Sequence, residues 1–563
     1  MQQLYTAHGE NLNGIPWMIY PRPQMRRNSY INLNGEWDFR LSSEESDRKI
    51  QVPFCPESVL SGVKKHFPEE SDLCYYRSVS LPSGLHNGRL LLHVGAADQL
   101  AAVYVNGHPA GEHQSVGSFC VDVTKFWRDG ENEIGIVCRD DLKDQSFPYG
   151  KQTLKRGGMW YTPVSGIWQT VWMECVPETY IKKLNIENRG YSVTISTVPV
   201  MDGKVTVAEL GEFRLENGSV TITPENPRLW SPENPYLYEF TVECGEDRVE
   251  SYFAIRSLEI KKIGDYPRLC LNGKPYFFHA LLDQGYWPDG IYTPAAPECY
   301  AKDIQAAKKM GFNTLRKHIK VEAEEFYYQC DKLGMIVFQD MINNSDYRYV
   351  RDTVLPTIFP GYQKRSDKKL HTNPLHRQRF LDAMEETVDQ LKNHPCICYW
   401  TIFNEGWGQF DADRVYEQFR ELDDTRFVDS TSGWFRQKKS DVDSRHVYFR
   451  KVNLKGNGKT PLVLSEFGGK TLRIDGHVFN PDKTYGYGGC RTKEALTDAL
   501  VRLYMEEIVP SAKNGLCGAV YTQLSDVEEE INGLVTYDRK VIKLESEKML
   551  SVAEALQRAV AEK

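Results

Sequence analysis

At 563 residues the chain is long enough for about three or four domains of roughly 150 residues each. Its 69 Lys and Arg stand against 77 Asp and Glu, a net charge of −8 spread without a basic block, so neither nucleic acid nor an anionic membrane surface is expected as a partner. No window approaches the ~20 apolar residues of a spanning helix, and the opening MQQLYTAHGENLNG lacks a basic start followed by an apolar stretch, so a cytoplasmic location is expected.

From residue 1 to about 178 the chain reads as short alternating runs, INLNGEWDFRL, RLLLHVGAA, AAVYVNGHPAGEH, NEIGIVCRD and GIWQTVWMECV. Period-two alternation broken by Asn-Gly and Asp-Gly pairs predicts an antiparallel β-sandwich. The same grammar continues over 179–262 in VTISTVPV, GKVTVAEL, GSVTITP and YLYEFTVEC, a block the size of an immunoglobulin-like sandwich. Over 263–563 strand-like runs alternate with helical ones. The strands are YFFHALL, FNTLRK, MIVFQD, CICYWTIF, RFVDSTS, RHVYF, PLVLSE and LCGAVYTQL, with helices over about 297–310, 321–333, 373–392, 411–422 and 493–508. Eight apolar strands alternating with helices in about 300 residues predict a (β/α)8 barrel. A doubly wound open sheet is the alternative, but no Gly-rich phosphate turn follows the first strand.

In such a barrel the reactive groups sit at the carboxyl ends of the strands. Glu405 stands there after the fourth strand and Glu466 at the end of the seventh. Strands four and seven face each other across the mouth, so two carboxylates would share one cleft, as cleavage of a glycosidic bond requires: an acid for the leaving oxygen and a nucleophile or base at the anomeric carbon. Asn404 precedes the acid, and Trp400 and Trp407 flank it. Aromatics make up 12% of the chain, in keeping with a ligand that presents a sugar face and equally with large cores. The thirteen cysteines show neither CxxC pairs nor metal-ligand spacing and read as reduced thiols. No cofactor and no essential metal are expected.

Asn404-Glu405 after KNHPCICYWTIF resembles the acid/base signature of glycoside hydrolase family 2, and FNTLRKHIKVEAEEFYYQCDKLGMIVFQD resembles that family's other signature. LNGEWDFRL, VYVNG, NEI and SGIWQTVWME are similar to its amino-terminal jelly roll, and FAIRSLEI to the passage into its barrel. The resemblance implies a retaining mechanism on β-glycosides, with Glu405 as acid/base and Glu466 as nucleophile. It also implies that Arg316 and Tyr448 hold the nucleophile and that His318 and His446, each otherwise readable as structural, contact sugar hydroxyls. From its place beside the acid Asn404 can bond the sugar 2-hydroxyl, and Trp434, after the fifth strand, reads as a stacking wall or as core packing.

The run after the first barrel strand, HALLDQGYWPDG, departs from the family's Asn-(Arg or Lys)-His-Glu pattern and offers Asp283, Gln284 and Trp287 instead. The Asn-Lys-Lys that reads a uronate is replaced by SDVEEEINGLVTYDR, whose Asp526, Glu528, Glu529 and Glu530 would repel a carboxylate if they lined the pocket and otherwise form a solvated loop. The expectation is an exo-β-glycosidase for a neutral, galactose-like sugar. The alternatives are a uronidase with Lys317, Arg316 or Arg365 supplying the cation, a metal-dependent hydrolase, and a non-catalytic carbohydrate-binding protein. The partner is a small glycoside, with a homo-oligomer allowed, and the basic loop over 343–373 is expected to shape aglycone choice.

Overall fold

Alternating burial builds the amino-terminal third of the computed structural model, which describes every residue except 69, 86–87, 360, 363–364 and 562–563. In Leu100–Val105 every second side chain is buried. The strand turns into His108–Gln114 through Asn106 and Gly107, both at positive φ (51° and 77°), the left-handed pair that a tight hairpin requires. Six antiparallel strands containing Gly35–Leu41, Leu73–Ser80 and Glu131–Arg139 face four containing Arg89–Val94 and Val171–Val176. Trp37, Phe39, Tyr75, Leu92, Ile136 and Met173 fill the space between. A second sandwich of three and four strands runs from Lys183–Arg189 to Asp247–Phe253 around Ile186, Val193, Phe240 and Val249.

Antiparallel strands Leu258–Ile263 and Tyr266–Leu271 lead into the third unit at the amino-terminal end of its sheet, where Arg268 donates to the carbonyls of Ala512 and Leu516. That sheet holds eight parallel strands: β1 (Phe278–Asp283), β2 (Thr314–Lys317), β3 (Ile336–Asp340), β4 (Ile397–Asn404), β5 (Phe427–Ser432), β6 (Asp443–Val447), β7 (Leu462–Gly468) and β8 (Leu516–Thr522). Their order, β5-β4-β3-β2-β1-β8-β7-β6, wraps nearly to closure, with a ladder missing between β5 and β6.

The anticipated helices form at Glu298–Lys309, Glu324–Leu333, Pro374–Leu391, Ala412–Leu422 and Lys493–Leu503. Asn373 caps the third through Leu375 N–H, with Pro374 in the first turn, where its missing donor costs nothing. The fifth of these stops at Leu503, short of the expected 508, and widens over Tyr504–Ile508 ahead of Pro510, which has no N–H to continue the ladder; a further helix, Ser546–Ala561, follows the eighth strand. Among the described residues no helix follows β5 or β6, so the strand–helix alternation is incomplete there. The basic loop after β3 carries short helical turns over Val350–Val354 and Leu355–Ile358, while its positions 360, 363 and 364 lie outside the described residues.

One excursion of the first sandwich decides the shape of the barrel mouth. Between its strands Glu131–Arg139 and Gly166–Ile167 the chain crosses onto the barrel. There Tyr149 N–H donates to Asn343 O at 3.1 Å, and Tyr149 Oη to Ser345 O at 2.6 Å. Trp160 packs edge-on against Tyr347 and Trp407 with centroids 4.9 Å apart, and Tyr161 Oη donates to Glu530 Oε2 at 2.5 Å.

Candidate active site

Glu405 is the first residue beyond β4, and its backbone sits at φ 52°, in the left-handed region that non-glycine residues seldom occupy. Such a conformation persists where surrounding contacts over-determine it. Here Glu405 N–H donates to Ser432 O at 2.8 Å, and Gly406 (φ 74°) turns so tightly under Phe435 that a Cβ would lie 2.1 Å from its ring. The turn aims the carboxylate across the mouth, where Glu405 Oε1 meets His446 Nδ1 at 2.8 Å. The same nitrogen lies 3.6 Å from Glu466 Oε2, and one oxygen of each glutamate and a ring nitrogen of His446 all fall within 4.8 Å of one another. His446 Nε2 pairs with Ser432 Oγ at 3.0 Å, so side chains bridge β5 and β6 where the backbone ladder is missing.

Glu466, on β7, is surrounded by donors and cations. Tyr448 Oη donates to its Oε2 at 2.8 Å, and Arg316 Nη1 to its Oε1 at 3.2 Å. Burial alone would raise its pKa, but His446, Arg316, His318 and Lys151 together outweigh that penalty and hold the carboxyl at about 2. Arg316 is 1% exposed and uses its whole fork. Nε faces Asp340 Oδ1 at 3.0 Å, Nη1 also meets Ser465 O at 2.9 Å, and Nη2 donates to Asn404 Oδ1 at 2.9 Å. This last bond fixes the amide of Asn404, because its oxygen is engaged and its NH2 is left for the cavity. Asp340 also holds His318 Nδ1 at 2.7 Å, and burial lowers the His318 pKa despite that acid.

The cavity between these groups measures about 220 Å³, below the ~300 Å³ lower end for drug-sized ligands and in keeping with one sugar ring at the reacting end. Asn404, Glu405, Glu466, His318, His446, Tyr448 and Trp434 line it together. Trp434 tilts against His446 with centroids 5.5 Å apart, and its buried Nε1 has no hydrogen-bond partner among the described residues. Arg316 stands behind the wall, bonded to Glu466 and Asn404.

Asp283 does not reach the cavity. It is a buried counter-ion, receiving Lys317 Nζ at 2.6 Å, and Lys317 also contacts Glu322 at 3.0 Å. A carboxylate in β1 beside a lysine in β2 pairs with that lysine in preference to facing water. Gln284 lines the cavity, whereas Trp287 lies beneath Arg539 and Trp400 bonds to Asp423 on the outer side of β4.

The acidic run 526–530 is no solvated loop. Asp526 pairs with Lys543 at 2.6 Å, Glu529 with Lys483 at 2.8 Å, and Glu528 accepts Thr162 N–H at 2.8 Å. Glu530 lines the cavity while accepting from Tyr161 and Asn532. The cations anticipated for a uronate are committed elsewhere: Arg316 and Lys317 to acids, and exposed Arg365 to Tyr362 outside the cavity.

The loop over 343–373 supplies Tyr347 and Tyr349 to the rim, as anticipated, but sequence reading missed Lys151 and Met159 of the first sandwich and the rim residues Phe449, Arg450, Tyr485 and Tyr487. No spacing signal links residue 151 to a barrel that begins more than a hundred residues later. The cluster of Glu405, His446 and Glu466 has the compactness of a metal site, but Arg316 already neutralises Glu466, and a second cation there would meet its repulsion.

Two family models match. One, described as Glycosyl hydrolases family 2, TIM barrel domain, covers residues 268–543, and the other, Glycosyl hydrolases family 2, covers 178–256. A putative β-glucuronidase of Formosa agariphila is 23% identical over 73% of this chain and 51% of its own length. A β-galactosidase of Thermoanaerobacter pseudethanolicus is 22% identical over 70% of this chain and 53% of its own. The chain thus spans about half the length of these relatives. The solved β-D-glucuronidase of Dictyoglomus thermophilum superposes with a TM-score of 0.72 at 20% identity, covering 97% of this chain and 99% of that one.

Proposed function

The chain belongs to glycoside hydrolase family 2, and from that premise we propose that it is a retaining, exo-acting β-glycosidase whose substrate ends in a β-linked uronic acid. The observation that carries the reaction type is the pair of carboxylates with oxygens within 4.8 Å of each other. That bound, with His446 Nδ1 2.8 Å from one carboxylate and 3.6 Å from the other, supports the closer ~5–5.5 Å spacing of retaining sites over the ~6.5–9.5 Å of inverting ones.

Glu466, ionised and steered by Arg316 and Tyr448, forms a bond to the anomeric carbon as the bond to the leaving oxygen breaks. Glu405 gives its proton to that oxygen. With Glu466 esterified, Glu405 takes a proton from water, whose oxygen attacks the anomeric carbon and releases Glu466. The free amide N–H of Asn404 is set to bond a sugar hydroxyl beside the reacting carbon, a contact that strengthens as positive charge develops there.

The uronide preference replaces the galactose-like expectation. Its support lies in the β-glucuronidase names borne by relatives in both sequence and structure, and in the cationic groups that reach the cavity, Lys151 and Arg450. The test is a panel of aryl β-glycosides. Glucuronide or galacturonide should be cleaved with a kcat/KM at least about tenfold above galactoside and glucoside, with the β-anomer released first by proton NMR. Preference for a neutral glycoside would overturn the uronide reading, and silence across the panel would favour a carbohydrate-binding protein.

A further inference from the structure

We propose that Lys151, delivered by the amino-terminal sandwich, is the residue that recognises the carboxylate of the sugar; this rests on the uronide reading above. The buried basic side chains of the barrel mouth are already engaged. Arg316 holds Asp340 and Glu466, Lys317 holds Asp283 and Glu322, Lys320 holds Glu322 at 2.9 Å, and Lys543 holds Asp526. Lys151 is different. It lines the cavity beside His318 and Glu466, it is half-buried, and among the described residues its ammonium has no hydrogen bond and no ion pair. Its Nζ lies 6.0 Å from the centroid of the Tyr161 ring, which leaves the donors of the ammonium open to an anion. Its charge is felt by both neighbours, helping to hold the Glu466 carboxyl down and lowering the His318 pKa.

The lysine is held in place by its backbone. Tyr149 is bonded to Asn343 and Ser345 of the barrel, Lys151 O accepts Tyr161 N–H at 3.1 Å, and Gln152 Oε1 accepts Val164 N–H at 2.6 Å. Gly150, at φ 63°, presses so closely on the barrel that a Cβ would lie 3.0 Å from Ile319 O. The segment therefore holds Lys151 at the wall of the cavity. Arg450 also lines the cavity without a partner among the described residues, but it is exposed and follows Phe449, which is 77% exposed, so it belongs to the rim that an aglycone crosses. The barrel supplies the reacting carboxylates, and the first sandwich supplies the charge that selects the sugar.

The test compares inhibition of aryl uronide hydrolysis by the free uronic acid and by its primary amide, which has the same shape without the charge. Wild type should prefer the acid by roughly 10- to 100-fold, the worth of a hydrogen bond to a charged group. In Lys151→Met that ratio should collapse toward one, and Lys151→Arg should keep most of it, with melting temperatures showing both variants folded. An undiminished ratio in Lys151→Met, or its loss in Arg450→Gln instead, would overturn the assignment while leaving uronide hydrolysis standing. A wild-type enzyme that cleaves neutral glycosides and shows no preference for the acid would overturn the uronide reading and this proposal with it.

Discussion

Replacing Glu405 with Ala removes the proposed proton donor and little else. The side chain is 20% exposed, and its hydrogen-bond partner among the described side chains is His446, so the Arg316–Glu466–Tyr448 array stays intact. A positioned general acid is worth ~10²–10⁴ in rate, or about 3–5 kcal/mol at 1.36 kcal/mol per tenfold. That loss should appear in kcat/KM for aglycones that must leave as neutral alcohols. A 2,4-dinitrophenyl glycoside departs as an anion and has no use for the proton, so its kcat/KM should fall less than about tenfold. The missing general base then makes hydrolysis of the glycosyl-enzyme slow, and kcat and KM should drop together. Azide, which attacks without deprotonation, should restore kcat and give the β-glycosyl azide. Equal losses on both aglycones, no response to azide, or an α-linked product would refute the assignment of Glu405 as acid/base opposite a nucleophilic Glu466.

Glu466→Gln should lower kcat by about 10⁴-fold or more, since the covalent step disappears. Because the folded-state pKa of Glu466 is depressed from 4.5 to about 2, its ionisation contributes on the order of 3 kcal/mol of stability above pH ~4.5, lost as pH falls toward ~2. The stability difference between wild type and Glu466→Gln in denaturant titrations should shrink over that window, and a pH-independent difference would contradict the linkage. Arg316→Met leaves Asp340 and Glu466 buried without their cation and should destabilise by about 3–5 kcal/mol. It should also move the acid limb of kcat/KM upward in pH, and an unmoved limb would show that Arg316 does not hold the nucleophile ionised.

Much of the site was legible before any coordinates. The apolar runs ending at Asn404-Glu405 and at Glu466 mark strand ends, and barrel topology then puts those ends on one face, so the pairing of the two glutamates needed no side-chain detail. Asp283 was misjudged for a physical reason. Its place at the end of β1 matches a site position, but whether a carboxylate there faces the cavity or a neighbouring lysine depends on the rotamers and packing of β2, which one-dimensional patterning does not encode. Glu530 went the other way, since a run of acids reads as solvated until Tyr161, Thr162, Lys483 and Lys543 converge on it from distant segments.

Periodicity, turn residues and strand ends are local properties, and from them the sequence alone determined two sandwiches, an eight-stranded barrel and the two carboxylates at its mouth. Sugar selection, by contrast, is non-local. On the proposal above, it turns on which cations are neutralised by acids far away in the chain and on a loop of one domain laid across the mouth of another. The tertiary structure alone decided that Lys317 is paired, that Arg316 stands behind the wall, and that Lys151 reaches the cavity with no ion pair among the described residues. Charge acts through space over a few ångströms, and only the fold brings these groups that close.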